Sequence, residues 1–528
     1  MTSRRERRNK VKAHRYDYIV VGGGLAGCVI ASRLSEQPDS RVLLVEAGPD
    51  PGPDPRVVQP SRWPDLLGSE YDWSYTTVPQ KHLDERRVSW PRGRLVGGSS
   101  AINAMVYIRG DAGDYDRWAE FGGPDWSWAG MLPWFERVEG LTGEEVSISV
   151  EAKQHPHPLA EAFVAAGAEL GLPRNPDFNG EHQQGVGFYR LMRRGGRRHS
   201  AADAYLTHAV SRPNLTVLAG TRVARVLVEC GSAVGVRLWR AGRPVDVRAE
   251  REVVLCCGTV ATPQLLLLSG IGPADQLRAH GIEPEVNLPG VGGNLHDHVQ
   301  VSVSCPVRGN FPVDPDSNLG EAGGFVSTVE GLDAPDVQLS FAPMGDINFG
   351  AGIGSGFSIA PAVARPISRG RLSLRSADPW EQPSIDPAYL ADPEDAATLA
   401  AGVRLAWELA DTSSLGQYRD HAAEEPRPAD PVEFCRQRAQ SQFHPVGSCR
   451  LGSDGDAVVD PDLAVHGLTG LRVADASVIP AVPTGNVSAA VFVIAEKAAA
   501  RLLSPDRAVP PPAAPPPATP GQEGRSTV

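Results

Sequence analysis

The chain lacks a long apolar run: nowhere do its 528 residues approach the roughly 20 consecutive apolar positions that span a bilayer. Positive charge is also short. The 51 Lys and Arg against 63 Asp and Glu leave a formal net charge of -12, without the basic footprint that a nucleic-acid partner requires. The seven cysteines (28, 230, 256, 257, 305, 435 and 449) are scattered, and no C-x-x-C pair occurs among them. That spacing spells neither a zinc cluster nor a dithiol redox motif, so the thiols read as reduced and mostly buried, and no metal is expected. What survives these exclusions is small-molecule chemistry.

The length calls for two packed domains. Residues 1–15 are basic and polar, and residues 506–528 are rich in Pro and Ala, so both ends read as a disordered arm and tail. The paired arginines of "MTSRRERRNK" are not followed by a cleavable apolar segment, which predicts a cytoplasmic protein.

The ordered part opens with "YDYIVVGGGLAGCVIASRLSE" (16–36): an apolar β-rich run, glycines, then helical periodicity. "RVLLVEAG" (41–48) is a second buried strand ending on an acid. Gly22, Gly24 and Gly27 form G-x-G-x-x-G at the strand-to-helix junction, and Glu46 follows Gly27 by 19 residues. The glycines allow a tight turn and close approach to a pyrophosphate. The helix start, with Leu25 and Ala26, offers free N–H groups, and Glu46, next to Ala47, suits the ribose hydroxyls. The pattern predicts an adenine dinucleotide without separating NAD from FAD.

Two further segments bear on that choice: "GRLVGGSSAINAMVYIRGDAGDYDRW" (93–118) and "GTVATPQLLLLSGIGP" (258–273). Together with "PGVGGNLHDH" (289–298), "FHPVGSCRLG" (443–452) and "LRVADASVIPAVPTGN" (471–486), they resemble the glucose-methanol-choline (GMC) family of FAD-dependent oxidoreductases, choline dehydrogenase-like and alcohol dehydrogenase-like bacterial members in particular. The resemblance runs in family order over residues 16–504. It implies an α/β architecture, with a Rossmann-like FAD-binding domain (16–150, 205–300 and 445–505) interleaved with an α+β substrate domain on an antiparallel sheet (151–204 and 301–444).

By the same resemblance, Arg94, Gly97, Gly98 and Ser99 belong to the flavin loop, and Asn103, Ala104, Met105 and Val106 run beside the isoalloxazine. Val223 meets the adenine, Asp475 and Ala476 lie near the ribityl and pyrophosphate, and Asn486 and Val487 begin a helix facing the flavin pyrimidine. Ile102 stands where choline oxidases carry a flavin-linking histidine, so FAD is expected to be held non-covalently.

The resemblance also implies the chemistry. His444 is the base that takes the alcohol proton, Asn486 holds the oxygen, and hydride passes to flavin N5, turning a primary aryl, alkyl or choline-like alcohol into its aldehyde. Histidine suits the task because its pKa lies near working pH, and Pro445 restricts its backbone. A dehydrogenase is preferred over an oxidase, with O2, a quinone or a redox carrier as electron acceptor. The alternative is a non-oxidative flavoprotein of the same fold, a hydroxynitrile lyase or photodecarboxylase type. His199, His296 and His298 are further candidates, of which His296 and His298 in "NLHDH" read as structural. Phe311, Phe325, Phe341, Met344, Phe349, Phe357, Trp380 and Phe443 are candidates for an apolar substrate pocket, and Glu321 is the candidate acid for a choline cage.

Overall fold

The computed structural model describes residues 15–143, 146–240, 242–346, 351–424 and 426–504. The basic arm expected over 1–15 and the Pro/Ala tail expected over 506–528 lie outside these residues, except that Arg15 opens the first strand.

β1 (Arg15–Val21), α1 (Leu25–Leu34) and β2 (Val42–Val45) follow the expected strand–glycine–helix–strand order. Later strands are β3 (Gly185–Phe188), β4 (Leu215–Leu218), β5 (Arg222–Glu229), β6 (Ser232–Arg240) and β7 (Arg243–Leu255). α2 (Gly258–Leu268) follows at once. Next come β8 (Val299–Gln300), β9 (Val303–Pro306), β10 (Ala322–Val326), β11 (Val337–Asp346) and β12 (Ala351–Val363). The chain continues through α3 (Pro393–Asp411), β13 (Gln440–Ser441) and β14 (Leu471–Val473) to α4 (Ser488–Leu503).

The first sheet runs β4-β2-β1-β7-β6-β5, with β14 also paired to β7. Its β4, β2, β1, β7 and β14 are mutually parallel. β2 is buried along its whole length, as expected of a strand covered on both faces. The second sheet runs β13-β8-β12-β11-β10-β3, with β9 on β12, and every pairing is antiparallel. This is the α/β arrangement expected, a Rossmann-like sheet and an α+β layer built from interleaved segments. Val299 and Gln300 already pair within the second sheet, just before the boundary expected after residue 300.

α4 lies against α1. Arg33 of α1 reaches Glu496 of α4 at 2.9 Å, and the hydroxyl of Tyr205 donates to the same carboxylate at 3.0 Å. Buried charge survives only when paired and hydrogen-bonded, and here the pairing fixes the two helices to each other. Both helix N-termini, at Leu25–Ala26 and Val487–Ser488, open on one chamber between the sheets.

Candidate active site

The chamber begins where the parallel strands end. Gly22, Gly24, Leu25, Ala26, Glu46 and Ala47 line it. Gly22 has φ +99°, and a Cβ there would stand 2.5 Å from the Cys256 carbonyl oxygen; only glycine fits. Gly27 lies beneath the turn, where a Cβ would meet the Gly22 oxygen at 1.9 Å, so it serves helix–turn packing. Glu46 is buried, accepting the Gly23 N–H and the Gly48 N–H at 2.7 Å each. Burial raises its pKa to about 7, as loss of water disfavours the carboxylate.

Gly98, Ser99, Asn103, Ala104, Met105 and Val106 form the next wall. Gly98 has φ +52°, and a Cβ there would lie 2.6 Å from Gly24 Cα, so two backbones touch where a flat ring system needs access. Gly97 sits one step behind, its N–H bonded to the Gly23 carbonyl at 2.8 Å. Arg94 does not line the chamber. It lies in an adjoining niche with its guanidinium carbon 5.7 Å from the Trp73 ring centroid. Val223 closes the far end, and Asp475, Ala476, Asn486 and Val487 complete the floor.

These residues fit FAD. A glycine cradle, a buried ribose-side carboxylate and two helix N-termini suit its pyrophosphate and pyrimidine. Ser488 Oγ, buried at the start of α4, has no hydrogen-bond partner among the described residues and is suitably placed for a ligand acceptor.

His444 enters from the strand β13. Phe443, just before it, adopts φ +68°, an uncommon conformation for a non-glycine residue. Three bonds hold this bend. The Phe443 N–H donates to Ser441 Oγ at 2.7 Å, Arg92 Nη2 donates to the Phe443 carbonyl at 2.7 Å, and the His444 N–H donates to Asp297 Oδ1 at 2.7 Å. Pro445 follows, its carbonyl accepting from Thr259 Oγ1 at 2.7 Å.

The ring of His444 is gripped at both nitrogens. His298 Nε2 lies 3.0 Å from the Ala364 carbonyl, which can only accept, so that nitrogen carries the proton. The neutral His298 ring then offers its Nδ1 lone pair to His444 Nδ1, 3.0 Å away. His444 Nδ1 is therefore the protonated nitrogen, and Nε2 carries the lone pair, facing Asn486 Nδ2 at 3.0 Å. Burial pulls His444 well below 6.5, and it takes His298 to about 4. Both rings are neutral at neutral pH, and His444 Nε2 is ready to accept a proton.

The structure revises several expectations. His298 is more than a packing group, because its Nδ1 meets His444 Nδ1. Its approach comes from pairing of β8 with β13, two segments far apart in the chain. His296 is structural, donating to the Asn294 carbonyl and accepting the Val482 N–H, and His199 accepts the Ser149 N–H. Of the described aromatic candidates only Phe443 reaches the chamber. Phe325, Phe341, Met344 and Phe357 are core residues, Phe311 packs on Tyr418, and Trp380 pairs with Trp239 near the surface. Phe349 lies outside the described residues. Glu321 faces away, bound by Ser317 Oγ and the His157 N–H with Lys153 at 3.7 Å. The residues overlooked are amides and aromatics: Gln264, Gln300, Gln338, Gln442 and Asn318 line the chamber, as do Trp63, Trp73, Tyr75 and Tyr189.

No described helix is long and apolar enough to cross a membrane, and no described group of three His, Cys, Asp or Glu could hold a metal. Comparison with known proteins agrees with the cradle. GMC oxidoreductase family models match residues 16–300 and 366–495. An alcohol dehydrogenase [acceptor] of Pseudomonas putida is 39% identical over 92% of this chain and 95% of its own length. An oxygen-dependent choline dehydrogenase of Sinorhizobium fredii is 37% identical over 92% and 95%. The crystal structure of pyridoxine 4-oxidase from Mesorbium loti superposes with a TM-score of 0.85 at 36% identity, covering 92% of this chain and 98% of that one. With its cradle, its buried histidine pair and these matches, the chain belongs to the GMC oxidoreductase family and is a flavoprotein with FAD as cofactor.

Proposed function

We propose that this protein oxidises a primary alcohol to the aldehyde on non-covalently held FAD, with His444 as base and Asn486 as the group that holds the substrate oxygen. The observation that carries the reading is the lone pair of His444 Nε2, directed at Asn486 Nδ2 from 3.0 Å. A hydroxyl entering between them donates to Nε2 and accepts from the amide, which cannot itself take the proton. Proton transfer to Nε2 gives the oxygen alkoxide character and weakens the adjacent C–H bond. Bound FAD supplies the two-electron acceptor. Burial keeps His444 neutral before the reaction, and Phe443, Asp297 and Arg92 hold its backbone so that little reorganisation is needed. Ile102 has no nucleophile with which to link to the flavin. The alcohol and choline dehydrogenases among the relatives support the substrate class, with a dehydrogenase preferred over an oxidase.

Anaerobic stopped-flow mixing with a panel of primary alcohols tests the reading. Bleaching of the flavin is expected, followed by reoxidation when air or a quinone is admitted. A flavin that stays oxidised while substrate is consumed points instead to lyase-type chemistry on the same fold.

A further inference from the structure

The wall beside the catalytic pair is made of uncharged amides. Asn486 Oδ1 accepts from Gln338 Nε2 at 3.3 Å, and the same nitrogen lies 3.3 Å from the Tyr189 hydroxyl. Gln338 Oε1 accepts from Gln442 Nε2 at 3.1 Å, with Ser340 Oγ at 3.4 Å from that nitrogen. The bonds therefore run in one direction from Gln442 through Gln338 to Asn486 and His444. The ladder uses N–H groups along its length and ends on an acceptor. That acceptor, Gln442 Oε1, has no hydrogen-bond partner among the described residues, although Gln442 is only 8% exposed and lines the chamber. A buried acceptor left unpaired costs about 1–3 kcal/mol, so a ligand that donates to it gains accordingly.

Charge around the same wall is equally one-sided. The carboxylates lining the chamber are Glu46 and Asp475. Glu46 is tied to the Gly23 and Gly48 N–H groups, and Asp475 to the Gly258 N–H and to Thr262 Oγ1; both stand on the dinucleotide side. Next to His444 the charged side chain that lines the chamber is cationic, Arg92, bonded to the Phe443 carbonyl; Asp297 stands behind the His444 backbone, outside the lining, and is taken up by the His444 N–H, Ser441 Oγ and the Tyr389 hydroxyl. A trialkylammonium group there finds no carboxylate in the lining beside it and a guanidinium nearby. Buried cations need a partner.

Building on the alcohol-oxidising reading, we propose that the site takes an uncharged alcohol bearing a second hydrogen-bond donor, received by Gln442 Oε1, and rejects quaternary ammonium alcohols. This separates the chain in substrate from its choline dehydrogenase relatives. Sites built to pair a substrate donor discriminate strongly against analogues lacking it.

Two matched sets of alcohols test the idea on the FAD-loaded enzyme. Choline is compared with its neutral carbon isostere 3,3-dimethylbutan-1-ol, and the three hydroxybenzyl alcohols with the corresponding methylbenzyl alcohols. Flavin bleaching gives kcat/KM, and perturbation of the flavin spectrum under non-reducing conditions gives Kd. The neutral isostere is expected to surpass choline at least about tenfold, and one hydroxybenzyl isomer its methyl counterpart by a similar factor. Gln442→Leu should bring the hydroxyl-to-methyl ratio toward one, and Gln442→Glu should shift the first ratio toward choline. Equal values within either set for the parent enzyme overturn the proposal. Should no alcohol bleach the flavin, the alcohol-oxidising reading fails, while the Kd ratios still decide which ligands the amide wall accepts.

Discussion

His444 Nδ1 lies 3.0 Å from His298 Nδ1, with the two rings at 86° and their centroids 5.2 Å apart. Two facing ring nitrogens can bond only when one of them holds the proton. The Ala364 carbonyl settles which, because it holds the proton of His298 on the far nitrogen. The contact therefore fixes the basic end of His444 toward Asn486. Once Nε2 has taken a proton, the same contact becomes a charge-assisted bond to a neutral ring, a stronger interaction than the neutral one it replaces.

Replacing His298 by Phe keeps an aromatic ring of similar bulk and removes the acceptor. Loss of a tautomer-fixing partner is costly in comparable sites. Flavin reduction is expected to slow by at least about tenfold at saturating alcohol, with KM little changed and FAD content retained. A purely structural role for His298 would instead show as lost flavin or a lower melting temperature at an unchanged limiting rate.

Removing the proposed base altogether should cost more. General base catalysis is typically worth about 10²–10⁴-fold, so His444→Ala should reduce the flavin at least ~10²-fold more slowly while still binding FAD. Stopped-flow reduction together with the flavin-to-protein absorbance ratio measures both. Reduction at the parental rate would remove His444 from the mechanism.

The pH profile follows from the burial of the same ring. As the proposed base His444 acts when neutral, and its pKa is held well below 6.5, so kcat/KM should be flat through neutrality and fall only on the acid side of that value. Asn486→Asp would set a carboxylate where an amide now lies 3.0 Å from Nε2. An adjacent negative charge favours imidazolium, so the acid limb should move upward by about one pH unit or more. A profile unmoved by that substitution would show that another group sets the limb.

Much of this site is legible in the sequence, and the omissions share a cause. Gly22, Gly24 and Glu46 announce themselves because strand, turn and acid are local. His444 and Asn486 emerge only through the family resemblance. His298 and Gln442 escape because their meaning depends on β8 pairing with β13, which no spacing in the chain reports. The aromatic residues of the 301–443 section mislead for the opposite reason. Phe325, Phe341 and Phe357 stand on three strands of the antiparallel sheet and fill the core, since apolar side chains are buried whether or not a ligand is near. Glu321 has the right chemistry for a cation, but Ser317, His157 and Lys153 already occupy it.

The flavin loop should tolerate no side chain at its closest approach. Gly98 combines φ +52° with a would-be Cβ only 2.6 Å from Gly24 Cα, so Gly98→Ala forces one backbone away from the other. The expected product is folded protein with much less flavin, read from the visible absorbance per mole of chain and from the FAD needed to restore it. Full flavin content in that variant would mean the loop has another way to close.

Acid stability offers an independent check on His298. Its folded pKa of about 4 lies below the ordinary 6.5, so above 6.5 the ring is neutral in folded and unfolded chains alike and adds no pH dependence. As pH falls through 6.5 the unfolded chain binds a proton that the folded one refuses, and stability is lost until about pH 4 is reached. By pH 5 this amounts to about 2 kcal/mol. Glu46, raised to about 7 by its own burial, works in the other direction, and His444, held well below 6.5, works in the same one, so the parent protein alone would mix several effects. The difference between parent and His298→Phe cancels the Glu46 contribution. Urea unfolding at pH 7.5 and pH 5 should therefore show the parent losing ground to the variant by that amount on acidification. A constant difference would mean that the folded ring takes up its proton as readily as the unfolded one, so that burial does not hold His298 neutral on acidification.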